Sequence, residues 1–161
     1  MLEILKKLKT DKYSPRFYVV AENDKNSVEK LLAIENNKND TIDPQIYMIQ
    51  RSRKVHQSFF SSIFTTLKSL VDCIPLLMNV RPDLILCNGP ATCVPVCLVA
   101  FLLKVCFINS RCKIVFIESY CRVKSLSLSG WILLYFSDIF VVQWPKISKV
   151  SRKILYFGRL T

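Results

Sequence analysis

Four short apolar runs constrain this chain more than anything else in it: Leu84-Ile85-Leu86-Cys87, Ile114-Val115-Phe116-Ile117, Ile139-Phe140-Val141-Val142 and Ile154-Leu155-Tyr156. A strand with one wet face alternates apolar and polar residues, whereas a run that is apolar throughout must be covered on both faces. The segments between the runs have helical length and spacing: residues 91–108 carry one helix and 126–136 another. In the first half, Phe17–Ala21 and Ile46–Ile49 are strands. Between them a helix carries Val28, Leu31, Leu32 and Ile34, and a polar loop spans Glu35–Asp43. From Ser58 to Met78 the apolar residues recur at helical spacing until Pro75 strains the last turn. Leu2, Ile4, Leu5 and Leu8 mark a short amphipathic helix at the start. Strand and helix alternate throughout, which predicts an α/β fold: a doubly wound, Rossmann-like parallel sheet in one domain spanning residues 1–161.

The charge is uneven. The chain of 161 residues has a formal net charge of +11, and residues 57–161, its more apolar part, hold +8 of it. A basic, apolar surface suits an anionic membrane or a phosphate-bearing ligand. No nucleic-acid-binding signature accompanies the charge, so that reading rests on charge alone. The seven cysteines show no C-x-x-C and no paired Cys/His spacing, which supports neither a zinc site nor a disulfide framework. Cys93 and Cys97, four apart, read better as small buried residues than as ligands. The most apolar stretch, Cys93 to Ile108, is broken by Pro95 and Lys104 and does not read as a membrane span.

In a doubly wound sheet, ligands sit beyond the carboxyl ends of the strands, where loops enter helix N-termini. Asn88-Gly89-Pro90 occupies such a place, and the N–H groups of the next helix can receive an anion such as a phosphate oxygen. The alternative is a tight turn and nothing more. Glu118 and Arg122 follow the next strand on the same edge; together they can orient sugar hydroxyls and bind phosphate, or simply form a surface ion pair. The serines of Ser125–Ser129 are read as capping the following helix. His56, the single histidine, has no patterned catalytic partner, and Arg51, Arg53 and Lys54 form a basic loop cluster.

The stretches YSPRFYVVA (13–21), FTTLKSL (64–70), RPDLILCNGPATCVPVC (81–97), IVFIESYCRVKSLSLSG (114–130), SDIFVVQWP (137–145) and LYFGRL (155–160) resemble the asparagine-linked glycosylation protein 14 family over nearly the whole chain. That resemblance implies the N-terminal, acceptor-side half of a GT-B glycosyltransferase on the cytosolic face of the endoplasmic reticulum membrane. It implies a separate donor-binding subunit, resembling asparagine-linked glycosylation protein 13, that holds UDP-N-acetylglucosamine. It further implies transfer of the second N-acetylglucosamine to N-acetylglucosaminyl-diphosphodolichol, with no cofactor. Asn88, Gly89, Glu118 and Arg122 become acceptor-site candidates, with no residue assigned as the catalytic base. Ile154, Leu155, Tyr156, Phe157 and Leu160 become candidates for docking the donor chain.

Family members precede the helix at Met1–Leu8 with a hydrophobic anchor, a strand and a Gly-Ser-Gly-Gly-His-Thr loop. The resemblance therefore implies a shortened start and two exposed strand edges. The competing reading is a non-catalytic module that binds a membrane surface or a partner through its basic, apolar face.

Overall fold

The computed structural model describes residues 1–9, 12–22, 24–36, 44–49, 59–89 and 91–160. Element order is α1 (Leu2–Lys7), β1 (Phe17–Ala21), α2 (Lys25–Asn36), β2 (Gln45–Ile49), α3 (Phe59–Val80), β3 (Leu84–Asn88), α4 (Cys93–Val105), β4 (Lys113–Ile117), α5 (Leu128–Phe136), β5 (Ile139–Val142), α6 (Pro145–Ser148) and β6 (Ile154–Tyr156). All pairings are parallel, in two sheets: β1-β2, and β3-β4-β5-β6. The alternation expected from the sequence is thus present, divided between a two-stranded and a four-stranded sheet.

The core lies between the larger sheet and the layer formed by α3, α4 and α5. Ile114, Phe116, Phe140, Val142 and Leu133 are all but inaccessible, and the rings of Phe116 and Phe140 meet at 5.1 Å. Each such side chain contributes about 1.5–3 kcal/mol by leaving water. Cys97 belongs to this core: its sulfur lies 3.4 Å from that of Cys87 on β3. Burial pushes the Cys73 and Cys112 thiols up to about 11, and the hydrogen bond with Cys87, with burial, raises Cys93 well above the ordinary thiol range. Only Cys106 and Cys121 are exposed.

Two boundaries differ from the sequence reading. α3 runs on to Val80, past the Met78 read from the sequence, with Pro75 inside it. Cys73 and Leu77, either side of the proline, are both buried against α4, and that packing outweighs the ~3 kcal/mol a mid-helix proline costs. Glu35 is not in a loop but in the last turn of α2, buried, where it accepts from the Arg16 guanidinium at 2.8 Å and from the Tyr18 hydroxyl at 2.9 Å. Burial, and then this bond to Glu35, push the Tyr18 hydroxyl up to about 12.

Helix α4 ends in an unusual way. Ile108 N–H donates to Leu103 C=O at 3.0 Å and Phe107 N–H to Lys104 C=O at 3.1 Å, the paired bonds of a Schellman cap. The left-handed position of that cap usually takes glycine, yet here it is Phe107, with φ 60° and 87% of its surface exposed. Arg81, just past the end of α3, is also left-handed, with φ 43°. Among the described residues, no helix is long and apolar enough to cross a membrane.

Candidate functional site at the carboxyl edge of the sheet

The carboxyl ends of β3, β4, β5 and β6 bring four short segments side by side. Asn88 is in register with Ile117, Ile117 with Val141, and Val142 with Tyr156, so Gly89, Glu118-Ser119, Gln143-Trp144 and Phe157 leave the sheet along one edge. Gly89 has φ +64° and donates to Ile117 C=O at 3.1 Å. The positive φ favours glycine, and a Cβ there would also crowd the Ser119 Cβ at 3.1 Å. Asn88 and Gly89 are therefore set directly against the start of the β4–α5 loop. Pro90, Arg51, Arg53, Lys54 and His56 lie outside the described residues.

Two helix N-termini face this edge, and they differ. The first residue ahead of α4, Thr92, makes no side-chain capping bond, and Val94 N–H donates to Ala91 C=O at 3.1 Å. The start of α5 is filled. Glu118 is 1% exposed; its Oε2 accepts from Ser127 N–H at 2.9 Å and from the Ser127 hydroxyl at 3.0 Å, while Oε1 accepts from Ser119 N–H at 2.8 Å. Ser127 in turn caps α5 by accepting from Gly130 N–H at 2.9 Å, as the serine-rich stretch led us to expect. Gly130 makes room for this arrangement, since a Cβ on it would fall 2.2 Å from Glu118 Oε2.

The expected exposed acid is thus an internal carboxylate that anchors both ends of the 119–127 segment. It makes no surface ion pair with Arg122, which is exposed in that loop. Period-two alternation accounts for the direction: Ile114, Phe116 and Glu118 share the core-facing side of β4, and Ser119 takes the other.

Residues that spacing did not single out complete the edge. Gln143, 1% exposed, donates from Nε2 to Glu118 C=O at 3.2 Å, and its Oε1 accepts from Leu160 N–H at 3.4 Å. Trp144 Nε1 donates to Tyr120 C=O at 2.8 Å, the two rings lie 5.3 Å apart, and the Arg159 guanidinium sits 4.7 Å above the indole. The signal that would have found them is the rule that located Asn88 and Glu118, applied to the end of β5. Of the docking candidates, Ile154 is buried and completes this chain's own sheet; Leu155, Tyr156 and Phe157 are exposed, and Leu160 is half-buried. A cleft of about 350 Å³ lies elsewhere, between β2 and α3, lined by Glu22, Met48, Lys68 and Asp72, and includes none of these edge residues.

Comparison with known proteins agrees with this architecture. The solved structure of MurG from Acinetobacter baumannii, a GT-B glycosyltransferase, superposes with a TM-score of 0.65 at 14% identity, over 96% of this chain and 40% of MurG. That likeness carries the fold alone. The UDP-N-acetylglucosamine transferase subunit ALG14 of Rattus norvegicus is 47% identical over 154 residues, which cover 92% of this chain and 71% of the relative. The protein of the same name from Yarrowia lipolytica is 43% identical over 161 residues, covering 99% of this chain and 74% of the relative. The family described as oligosaccharide biosynthesis protein Alg14 like matches residues 1–160, and the chain belongs to that family.

Proposed function

We propose that this chain is the acceptor-side domain of a two-chain UDP-N-acetylglucosamine transferase. It acts at the cytosolic face of the endoplasmic reticulum membrane and adds the second N-acetylglucosamine to N-acetylglucosaminyl-diphosphodolichol. The transferase-subunit role follows from the family, whose members carry that name. The observation that carries the acceptor assignment is the contrast between the two helix ends on one edge: α5 is capped by Ser127, itself held by Glu118, whereas Thr92 supplies no side-chain cap to α4 beside Asn88 and Gly89. A helix N-terminus attracts an anion, and the acceptor's diphosphate is one.

In this reading Asn88, the Gly89 backbone and Arg122 meet the acceptor, and Glu118 positions the loop that carries Arg122. The chemistry is inverting transfer: a base takes the proton of the acceptor 4-hydroxyl, which attacks the anomeric carbon as UDP departs. Groups on the donor chain stabilise the leaving diphosphate. Leu155, Tyr156, Phe157 and Leu160 form the surface that docks that chain.

The lipid nature of the acceptor gives the outer face of the helical layer a purpose. Leu67, Val71, Ile74 and Met78 recur along the solvent side of α3, and Leu102 and Val105 do so on α4; all are exposed. Phe107 stands at the end of this face in a conformation that costs an L-residue roughly 1–2 kcal/mol, and burial within the chain returns none of it. With Arg81, Arg111 and Lys113 exposed at the same end, the face suits an anionic bilayer.

The test is reconstitution. This chain, the donor-binding subunit, UDP-N-acetylglucosamine and an N-acetylglucosaminyl-diphospho-lipid should give the disaccharide lipid, and neither chain alone should do so. Robust turnover by this polypeptide, with mass spectrometry showing no second chain, would overturn the two-chain reading. Truncation after Lys153 should abolish co-purification of the donor chain; full retention by a truncated chain that is folded by circular dichroism would overturn the docking surface.

A further inference from the structure

Two consecutive residues in the bend just after β5 hold the β4–α5 loop on one side and the C-terminal segment on the other. Gln143 joins Glu118 C=O to Leu160 N–H, and Trp144 joins Tyr120 C=O to the Arg159 guanidinium. The Gln143 amide has one workable orientation, because turning it over would set its NH₂ against the Leu160 N–H and its oxygen against the Glu118 carbonyl. Glu118 passes the constraint on, since its carboxylate holds Ser119 N–H at one end of the loop and Ser127 at the other.

We propose that Gln143 is a positioning residue that transmits the state of the C-terminal segment to the acceptor-side loop 119–127. A chain docked on Phe157 and Leu160 would order that segment and, through Gln143 and Trp144, fix the loop carrying Arg122. Donor-subunit docking and acceptor binding are then linked without direct contact between the two sites. The direction of this coupling rests on the docking surface proposed above, whereas the tie itself is a property of this chain and is tested on it first.

The variants are Gln143→Met, which keeps length and removes the hydrogen bonds to Glu118 C=O and from Leu160 N–H, and Arg159→Ala, a surface change that spares the core. In the full chain, hydrogen exchange at the amides of Ser119, Arg122 and Ser127 should quicken by about tenfold in each variant, the scale of one lost hydrogen bond, with β3 and α4 unchanged. In the reconstituted complex both variants should retain the donor chain and the KM for UDP-N-acetylglucosamine, while KM for the lipid acceptor rises by about tenfold. Unchanged exchange in both variants overturns the proposal. So does quickening spread evenly over the chain, or a parallel loss of donor and acceptor affinity, each of which marks a residue that merely supports the fold. A wild-type chain that fails to pair with a donor subunit refutes the function proposed above, and the exchange result still decides the tie.

Discussion

Gly130→Ala should destabilise this chain, although alanine ordinarily improves a helix. The added Cβ would stand 2.2 Å from Glu118 Oε2 and 3.1 Å from the Ser127 hydroxyl oxygen. Relief requires the carboxylate to move by about 1 Å, given a non-bonded contact of roughly 3.2 Å or more. That displacement breaks the two bonds Oε2 accepts from Ser127, and Glu118 has no open solvent to turn towards. Hydrogen bonds to a charged group contribute about 1.5–3 kcal/mol each, so the loss is ~3–6 kcal/mol. The intrinsic gain of alanine over glycine in a helix returns about 1 kcal/mol, leaving ~2–5 kcal/mol. In a chain of this size that lowers Tm by roughly 4–20 °C. Thermal melting and urea denaturation measure it, and adding Gly130→Ala to Glu118→Ala isolates the contact: with the carboxylate gone, the alanine should cost nothing further. A single Gly130→Ala variant as stable as wild type, or more so, would refute the packing described for Glu118.

Phe107→Gly should do the reverse at the other edge of the sheet, raising stability by about 1 kcal/mol as the left-handed strain is released. Its binding to anionic vesicles, read by sedimentation, should fall roughly tenfold or more, in line with the loss of one buried aromatic side chain. A destabilised variant, or one that binds vesicles undiminished, would contradict the role given to that residue. Acid should find Asp138. Desolvation disfavours its charged form, but the Lys104 ammonium at 2.5 Å and the Ile114 N–H at 2.9 Å outweigh it, holding the carboxyl below the usual aspartate range. Its folded-state value is depressed, so its stabilising contribution is complete above the unfolded aspartate value and vanishes as pH falls through the lowered one. Asp138→Asn should flatten that part of the acid limb in a pH series of urea midpoints, and an unchanged limb would remove the group from the account.

Particular residues show where reading the sequence succeeded and where it stopped. The strands of the larger sheet announce themselves because burial on both faces leaves no room for polar residues between Ile114 and Ile117 or between Ile139 and Val142. Ser127 was legible as a cap because capping is local chemistry, decided within one helical turn. Glu118 was legible as an edge residue but not as an inward one, although its parity with Ile114 and Phe116 carried that information. Glu35 was misplaced because its partner Arg16 lies nineteen residues away, and no local pattern encodes such a pairing. The division into two sheets is likewise a matter of which strand edges meet, on which the composition of each strand is silent.

The distribution of thiols has a practical consequence. Cys106 follows α4 at the amino edge, next to Phe107, and Cys121 lies in the β4–α5 loop at the carboxyl edge, next to Arg122; both are exposed. Cys73, Cys87 and Cys112 are buried and Cys93 half-buried, with sulfurs that remain protonated at neutral pH. The unaltered sequence therefore carries two natural attachment points for a fluorophore or spin label, one at each end of the sheet, against a quiet thiol background. On the function proposed above, a label on Cys106 should report the arrival of lipid and a label on Cys121 the arrival of acceptor, so the two events could be timed against each other in one molecule.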